Sequence, residues 1–251
     1  MRVLITGAAG VVGTALSQRL STEHVLVRLD YRPLPADDIA AVQADLCDWR
    51  QIRAALAPHA PLDAVVHLAY AATDPELAWE DQAIQQFEMT VRGTWVTLVE
   101  AHRLGARRFL YASSLNVYGD LQHGPYPEHF DVLRAPQRDP ADPYGTCKYL
   151  AEQLMARFCA TRGCSGLAFR LDAVHAPGVM ERRGVHVDDI AEAFTRALVV
   201  SLDGFDVVNL VADPTRHGAP NEKIQELLGW TPRHVFTHRP DLEDWLQLRL
   251  R

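Results

Sequence analysis

The segment Thr6-Gly7-Ala8-Ala9-Gly10-Val11-Val12-Gly13 admits few folds. It follows the apolar run Val3-Leu4-Ile5 and precedes Thr14–Leu20, so three glycines at intervals of three join a buried strand to a helix. A strand that turns tightly into a helix N-terminus gathers backbone N–H groups, and such a turn attracts an anion. Here Gly7 permits the turn, Gly10 lets a phosphate approach the backbone, and Gly13 lets helix and strand pack closely, with Val11 and Val12 in the first helical turn. The same spacing also suits a packing turn with no ligand.

The rest of the chain repeats the strand–helix alternation. Short apolar strands are expected at 2–6, 25–30, 40–44, 64–68, 108–112 and 166–171, with helices at 11–21, 48–57, 79–103 and 144–162. Continuous apolar strands alternating with helices imply an α/β fold, a doubly wound parallel sheet of the Rossmann type. The 251 residues suit one such domain, with a much reduced C-terminal lobe built from about 172–187 and 212–251. Two short helices are expected in that tail, near Glu222–Leu228 and Leu242–Leu250. Residues 120–143 are rich in Pro, His and Asp without a period, which suggests a lid or substrate wall. A formal net charge of −7 argues against a nucleic-acid partner. The four cysteines have no CxxC pair, which points to thiols in a reducing cytoplasm, and the histidines lack metal-ligand spacing, so no metal site is expected. No apolar run approaches the length of a membrane span.

Three further features turn the phosphate site into a candidate for hydride chemistry. Asp30 ends the second strand, 23 residues after Gly7, where a carboxylate accepts ribose hydroxyls and repels a 2′-phosphate. This favours NAD; Arg32, two residues on, keeps NADP open. Asp45 and Leu46 follow the third strand, where they would cradle adenine, or Asp45 would cap the helix before Trp49. Tyr144 and Lys148 stand four apart on one helical face. A tyrosine moves a carbinol proton near neutrality only if its pKa falls by about three units from ~10, roughly 4 kcal/mol. A neighbouring ammonium helps supply that. Ser113 and Ser114 end the fifth strand at the carboxyl edge, where such sheets bind ligands.

In this order, these motifs resemble the extended short-chain dehydrogenases/reductases, the superfamily of nucleotide-sugar epimerases and dehydratases. TGAAGVVG is similar to its TGxxGxxG, HLAYAA (67–72) to its HLAA segment, ASSLNVYG (112–119) to its SSxxVYG, and DPYGTCK to its PYxxSK. RLDAVHAPG (170–178), VHVDDIAEAF (185–194) and LLGWTPR (227–233) resemble later landmarks. The resemblance implies Ser114 as the catalytic hydroxyl and Tyr144 as the proton-transfer residue. It also implies that Lys148 holds ribose and lowers the tyrosine pKa, and that Leu68, Ala69, Tyr70 and Ala112 line the cofactor. It further implies an enzyme of carbohydrate metabolism that pairs as a homodimer.

Departures from the family pattern bear on substrate. Thr90 replaces an Asn, and Ser114-Leu115-Asn116 replaces the Thr-Asp-Glu of dehydratases, so an acid to expel water is missing. Ala173 replaces an Asn that touches nucleotide-sugar phosphates, and only six residues separate Gly178 from Val185 where a nucleotide-gripping insert would lie. The compact layout is similar to uronate dehydrogenases, with Arg182 or Arg183 as a carboxylate anchor or as solvated arginines, and with Ser113 and Asn116 near the substrate. The expectation is oxidation of a hydroxyl on a small sugar-like or uronate-like substrate. The alternatives are a sugar epimerase or a non-catalytic dinucleotide sensor. His123 and His129 are expected as solvated loop histidines, and His67 and His186 as structural ones. Trp79, Phe87 and Trp95 are expected as core or dimer contacts.

Overall fold

The computed structural model describes residues 1–71, 76–119, 143–175, 184–213 and 219–234. Nine strands occur in chain order among them: β1 (Arg2–Thr6), β2 (Val25–Asp30), β3 (Ala40–Gln43), β4 (Ala64–His67), β5 (Arg108–Ser114), β6 (Ser165–Leu171), β7 (Val174–His175), β8 (Val185–His186) and β9 (Phe205–Leu210). The helices are α1 (Val11–Leu20), α2 (Trp49–Leu56), α3 (Trp79–Gln86), α4 (Gly93–Arg103), α5 (Pro143–Arg162), α6 (Val187–Val199) and α7 (Glu222–Leu228). Seven strands form one sheet in the order β3-β2-β1-β4-β5-β6-β9, and every pairing is parallel. The remaining pair, β7–β8, stands apart. The strand order reverses between β1 and β4, so the glycine turn opens at the switch point.

A parallel sheet covered on both faces needs strands that are apolar throughout, and alternate side chains then feed two cores. Val3 and Ile5 of β1 join the cluster under α1 and α6, while Leu4 joins the cluster under α2, α4 and α5. The expected strands hold within two residues at each boundary. The sequence pattern does not mark strand β9 or helix α6; β9 is the seventh strand, paired to β6 from Gly166↔Phe205 to Leu171↔Leu210.

The helical run expected over 79–103 forms without a break, but it is not α-helical throughout. Residues Phe87–Arg92 form a π turn between α3 and α4. The wide turn points Thr94 inward, where its hydroxyl donates to Thr90 O (2.5 Å) and meets His67 Nε2 (2.9 Å). The core reading of the three aromatics is corrected too: Trp79, Phe87 and Trp95 are 53%, 48% and 45% exposed.

The C-terminal segment is tied to the start of α6. Trp230 is buried and its indole N–H donates to Asp189 O (2.9 Å), while the Asp189 carboxylate accepts from the Arg233 and His234 backbone amides. The helix expected at Glu222–Leu228 forms; the one at Leu242–Leu250 lies outside the described residues, as do 120–142 with His123 and His129. No described helix is long and apolar enough to cross a membrane.

Candidate active site

The site begins at the glycine turn. Gly7 has φ +70°, and a Cβ there would lie 2.8 Å from Ala69 N, so β1 and the Leu68–Ala69 end of β4 approach as only glycine allows. A Cβ on Gly13 would lie 2.7 Å from Ala8 Cα, which sets how tightly α1 packs on the turn. Gly10 caps α1 without a side-chain hydrogen bond, and no acid sits in the first turn. The amides of Val11, Val12 and Gly13 are thus presented without a competing side chain, an arrangement that fits a phosphate group.

Asp30 ends β2 beside this turn, buried. Its Oδ2 accepts Ala9 N–H (2.9 Å), and its Oδ1 accepts the backbone N–H (3.0 Å) and Nε–H (3.2 Å) of Arg32. A carboxylate oxygen accepts about two hydrogen bonds, so Oδ2 retains capacity for a ribose hydroxyl. The turn and the carboxylate together fit a dinucleotide. Asp45 is exposed at the same edge, and its Oδ1 accepts Cys47 N–H (2.9 Å). The helix-cap alternative for Asp45 is corrected: Asp48 caps α2, accepting from Arg50 and Gln51. Leu46 is buried in the core against Gly93, so only Asp45 of that pair presents its side chain outward.

His67 is the structural histidine expected. Thr94 donates to a carbonyl, so its oxygen accepts His67 Nε2–H, and Nδ1 accepts from the Thr6 hydroxyl (2.6 Å). Burial, with the Lys148 charge added, pushes its pKa down to about 3, so the ring is neutral.

The chemistry-bearing groups gather where α5 crosses the end of β5. Lys148 is 2% exposed and its Nζ donates to Ala112 O at 2.7 Å. The ammonium lies 4.9 Å from the Tyr111 ring centre, 5.3 Å from Tyr70 and 5.8 Å from Tyr144. These cation–π contacts hold a charge that burial disfavours. Burial pushes Lys148 down to about 7, and the Glu152 charge works against that shift. Tyr111 goes the other way: burial first, then neighbouring Tyr144, Glu152 and Cys147, keep its phenol protonated. Tyr70 is half-exposed and meets Tyr144 edge-on at 6.0 Å. Ser114 starts a 3-10 turn (Leu115–Tyr118) and its Oγ accepts Asn116 N–H (3.1 Å).

Among the substrate candidates, Ser113 is corrected. Its side chain turns inward and donates to Glu152 Oε1 (2.5 Å), away from the open edge. Asn116 is part-buried on the 3-10 turn, and Ala173 is exposed at the start of the β7–β8 pair, where its carbonyl accepts Val185 N–H. Arg182 and Arg183 lie outside the described residues. Thr90 is buried in the π turn. His186 caps α6 by accepting Asp188 N–H (3.2 Å). His186, Asp188 and His234 bring possible ligand atoms within 4.8 Å of one another. The two imidazoles stack at 4.0 Å and 21°, and His186 Nδ1 is already engaged by Asp188 N–H.

Sequence reasoning missed the buried partners beneath this site: Glu152, Arg170, Tyr118 and Asn209. The available signal was the second helical repeat, since Glu152 follows Lys148 by the same four residues that separate Lys148 from Tyr144.

The model of the NAD dependent epimerase/dehydratase family matches residues 3–184, well over half the chain. The chain belongs to that family. Among curated members it is 28% identical over 168 residues to UDP-glucose 4-epimerase of Erwinia amylovora, covering 62% of this chain and 48% of that one. It is 27% identical to dTDP-glucose 4,6-dehydratase of Escherichia coli, covering 94% and 90%. The chain thus spans about half the length of the epimerases it matches. Among solved structures it resembles a mutated uronate dehydrogenase (TM-score 0.72, 25% identity, covering 98% of this chain and 84% of that one). It also resembles a UDP-galactose 4-epimerase (TM-score 0.73, 22%, covering 99% of each).

Proposed function

We propose that this family member oxidises a hydroxyl of a small sugar-like or uronate-like substrate with NAD. The observation that carries the reading is the Lys148 ammonium, buried among the rings of Tyr70, Tyr111 and Tyr144 and tied to Ala112 one residue before Ser113-Ser114. Gly7, Gly10, Gly13 and the first-turn amides would hold the pyrophosphate, and Asp30 the adenosine ribose. Leu68, Ala69, Tyr70 and Ala112 would line the nicotinamide side. When bound, NAD supplies the hydride acceptor. Tyr144, as phenolate, takes the carbinol proton. Ser114 holds the substrate oxygen as it becomes a carbonyl. Lys148 orients the ribose and stabilises the phenolate, and placement with electrostatics supplies most of the rate. The Asp30 carboxylate favours NAD over NADP, since Arg32 already pairs with it.

Dehydration is disfavoured, because Leu115 and Asn116 offer no acid after Ser114. Epimerisation stays the second reading, favoured by the 28% identity over 168 residues to a curated UDP-glucose 4-epimerase. We also propose a cytoplasmic homodimer. The exposed Trp79, Ile84, Phe87 and Trp95 on α3, the π turn and α4, with Leu150 on α5, would supply apolar surface for pairing. The free cysteines fit a reducing compartment.

The test is NADH appearance from NAD mixed with free uronic acids, aldoses and polyols, repeated with NADP, using Tyr144→Phe as control. Formation of NADH that falls about 10²–10⁴-fold in Tyr144→Phe supports the oxidation. Silence from protein that binds NAD, with interconversion of a nucleotide sugar, supports the epimerase and overturns the first reading.

A further inference from the structure

Helix α5 carries three ionisable side chains on one face: Tyr144, Lys148 and Glu152. The first two serve the function proposed above; Glu152 has no part in it yet, and it is 0% exposed. Arg170 on β6, 2% exposed, grips it bidentately, Nε to Oε1 at 3.0 Å and Nη2 to Oε2 at 2.7 Å. The Ser113 hydroxyl donates to the same Oε1 (2.5 Å). Arg170 Nη1 donates to the Tyr118 hydroxyl (2.9 Å), which donates to Asn209 Oδ1 (2.8 Å). One network thus joins α5, β5, the 3-10 turn, β6 and β9.

A buried ion pair is a poor device for stability alone, because apolar residues of similar volume often do as well. Its place suggests another use. Ser113 lies between Ala112, whose carbonyl receives Lys148, and Ser114. We propose that Glu152 is a positioning residue for the oxidation site: it fixes the Ala112–Ser114 strand end through Ser113, and it sets a buried negative charge one helical turn from the Lys148 ammonium.

This rests on the function proposed above. Glu152 stands about 6 Å along the helix from Lys148 and about 12 Å from Tyr144, so its charge acts on the ammonium before the phenol. Among the described residues, the titratable groups around Lys148 are Tyr144 and Cys147 on its own helix, Tyr111 on β5, His67 and Tyr70 at the end of β4, and Arg170 beyond Glu152. His67 and Tyr111 are both held neutral by burial, which leaves Glu152, among the described residues, as the charge that opposes desolvation of the ammonium. A charged Lys148 in turn favours the Tyr144 phenolate.

The test titrates tyrosinate ultraviolet absorbance in the wild type, Glu152→Gln and Glu152→Asp, each corrected with its matching Tyr144→Phe protein. It needs no substrate. The expected wild-type Tyr144 component lies well below the ordinary ~10. It moves up by about one pH unit in Glu152→Gln and returns in Glu152→Asp. A merely structural role lowers the melting temperature of both variants and leaves the titration in place, which overturns the proposal. If Glu152→Gln fails to fold because Arg170 is left uncompensated, Glu152→Gln with Arg170→Gln removes both charges. That protein must show an upward move of smaller size, because the Arg170 charge that disfavours the ammonium is gone too, and an unmoved Tyr144 there also overturns the proposal. A wild-type titration without the low component overturns the proposed function and this inference together. A low component that Glu152→Gln does not move overturns this inference alone.

Discussion

At the end of β1 the chain presents backbone: a glycine at φ +70°, an uncapped helix start, and amides with no side chain in front of them. At the end of β5, two strands away across β4, helix α5 contributes buried side chains: Lys148 on Ala112 O, and Glu152 on Ser113 and Arg170. The first region needs close approach and tolerates almost no added atom. The second needs charges out of water and therefore needs their partners in place. A phosphate can be held by peptide dipoles alone, whereas a proton has to be moved by groups whose affinities for it are adjusted by burial and neighbouring charge.

Removing one partner should break the second region most. Arg170→Ala leaves the Glu152 carboxylate buried without its cation, and a stability loss of about 3–5 kcal/mol is expected in denaturant unfolding. A loss under about 1 kcal/mol would mean that the network is not closed to water. The first region should respond to volume instead. Gly13→Ala forces backbone apart at Ala8 and is expected to cost about 1–3 kcal/mol, with NAD affinity falling about tenfold by calorimetry. Gly10→Ala, where the nearest atom to a Cβ is Gly7 O at 3.2 Å, should cost less stability for a comparable loss of NAD binding. Equal stability costs at the two glycines would contradict the packing role given to Gly13.

The smallest effect joins the regions through His67, which lies on β4 between them. Its folded pKa of about 3 lies below the ordinary 6.5, so below pH 6.5 the unfolded chain takes a proton that the folded chain refuses. This group therefore lowers stability as pH falls from 6.5 toward 3, by about 1.4 kcal/mol per unit. His67→Gln should flatten the stability profile between pH 6.5 and 5.5 by about 1 kcal/mol, since an ordinary imidazole is only half protonated at 6.5. An unchanged slope would show that other groups carry the acid sensitivity.

The glycine turn was legible because each of its requirements is local: strand, turn and helix lie within twenty residues, and glycine spacing states where atoms must be absent. Tyr144 and Lys148 were legible for the same reason, since i and i+4 share a helix face whatever surrounds them. Asp48 displaced Asp45 as the helix cap by three residues, a distance that composition does not resolve because both are acids near the same helix start. The π turn escaped because an extra residue in one turn leaves the apolar spacing nearly helical.

The sequence by itself determined the α/β class, the glycine turn, the acid at the end of β2 and the helical Tyr/Lys pair, because periods of two and 3.6 residues and short turns are properties of the local chain. Only the tertiary structure decided that Ser113 faces inward to Glu152, that Arg170 closes on that carboxylate, and that Trp79, Phe87 and Trp95 face outward. Those outcomes depend on which strand lies beside which. Arg170 reaches Glu152 only after α5 crosses back and β6 pairs with β5, and no local pattern encodes that register.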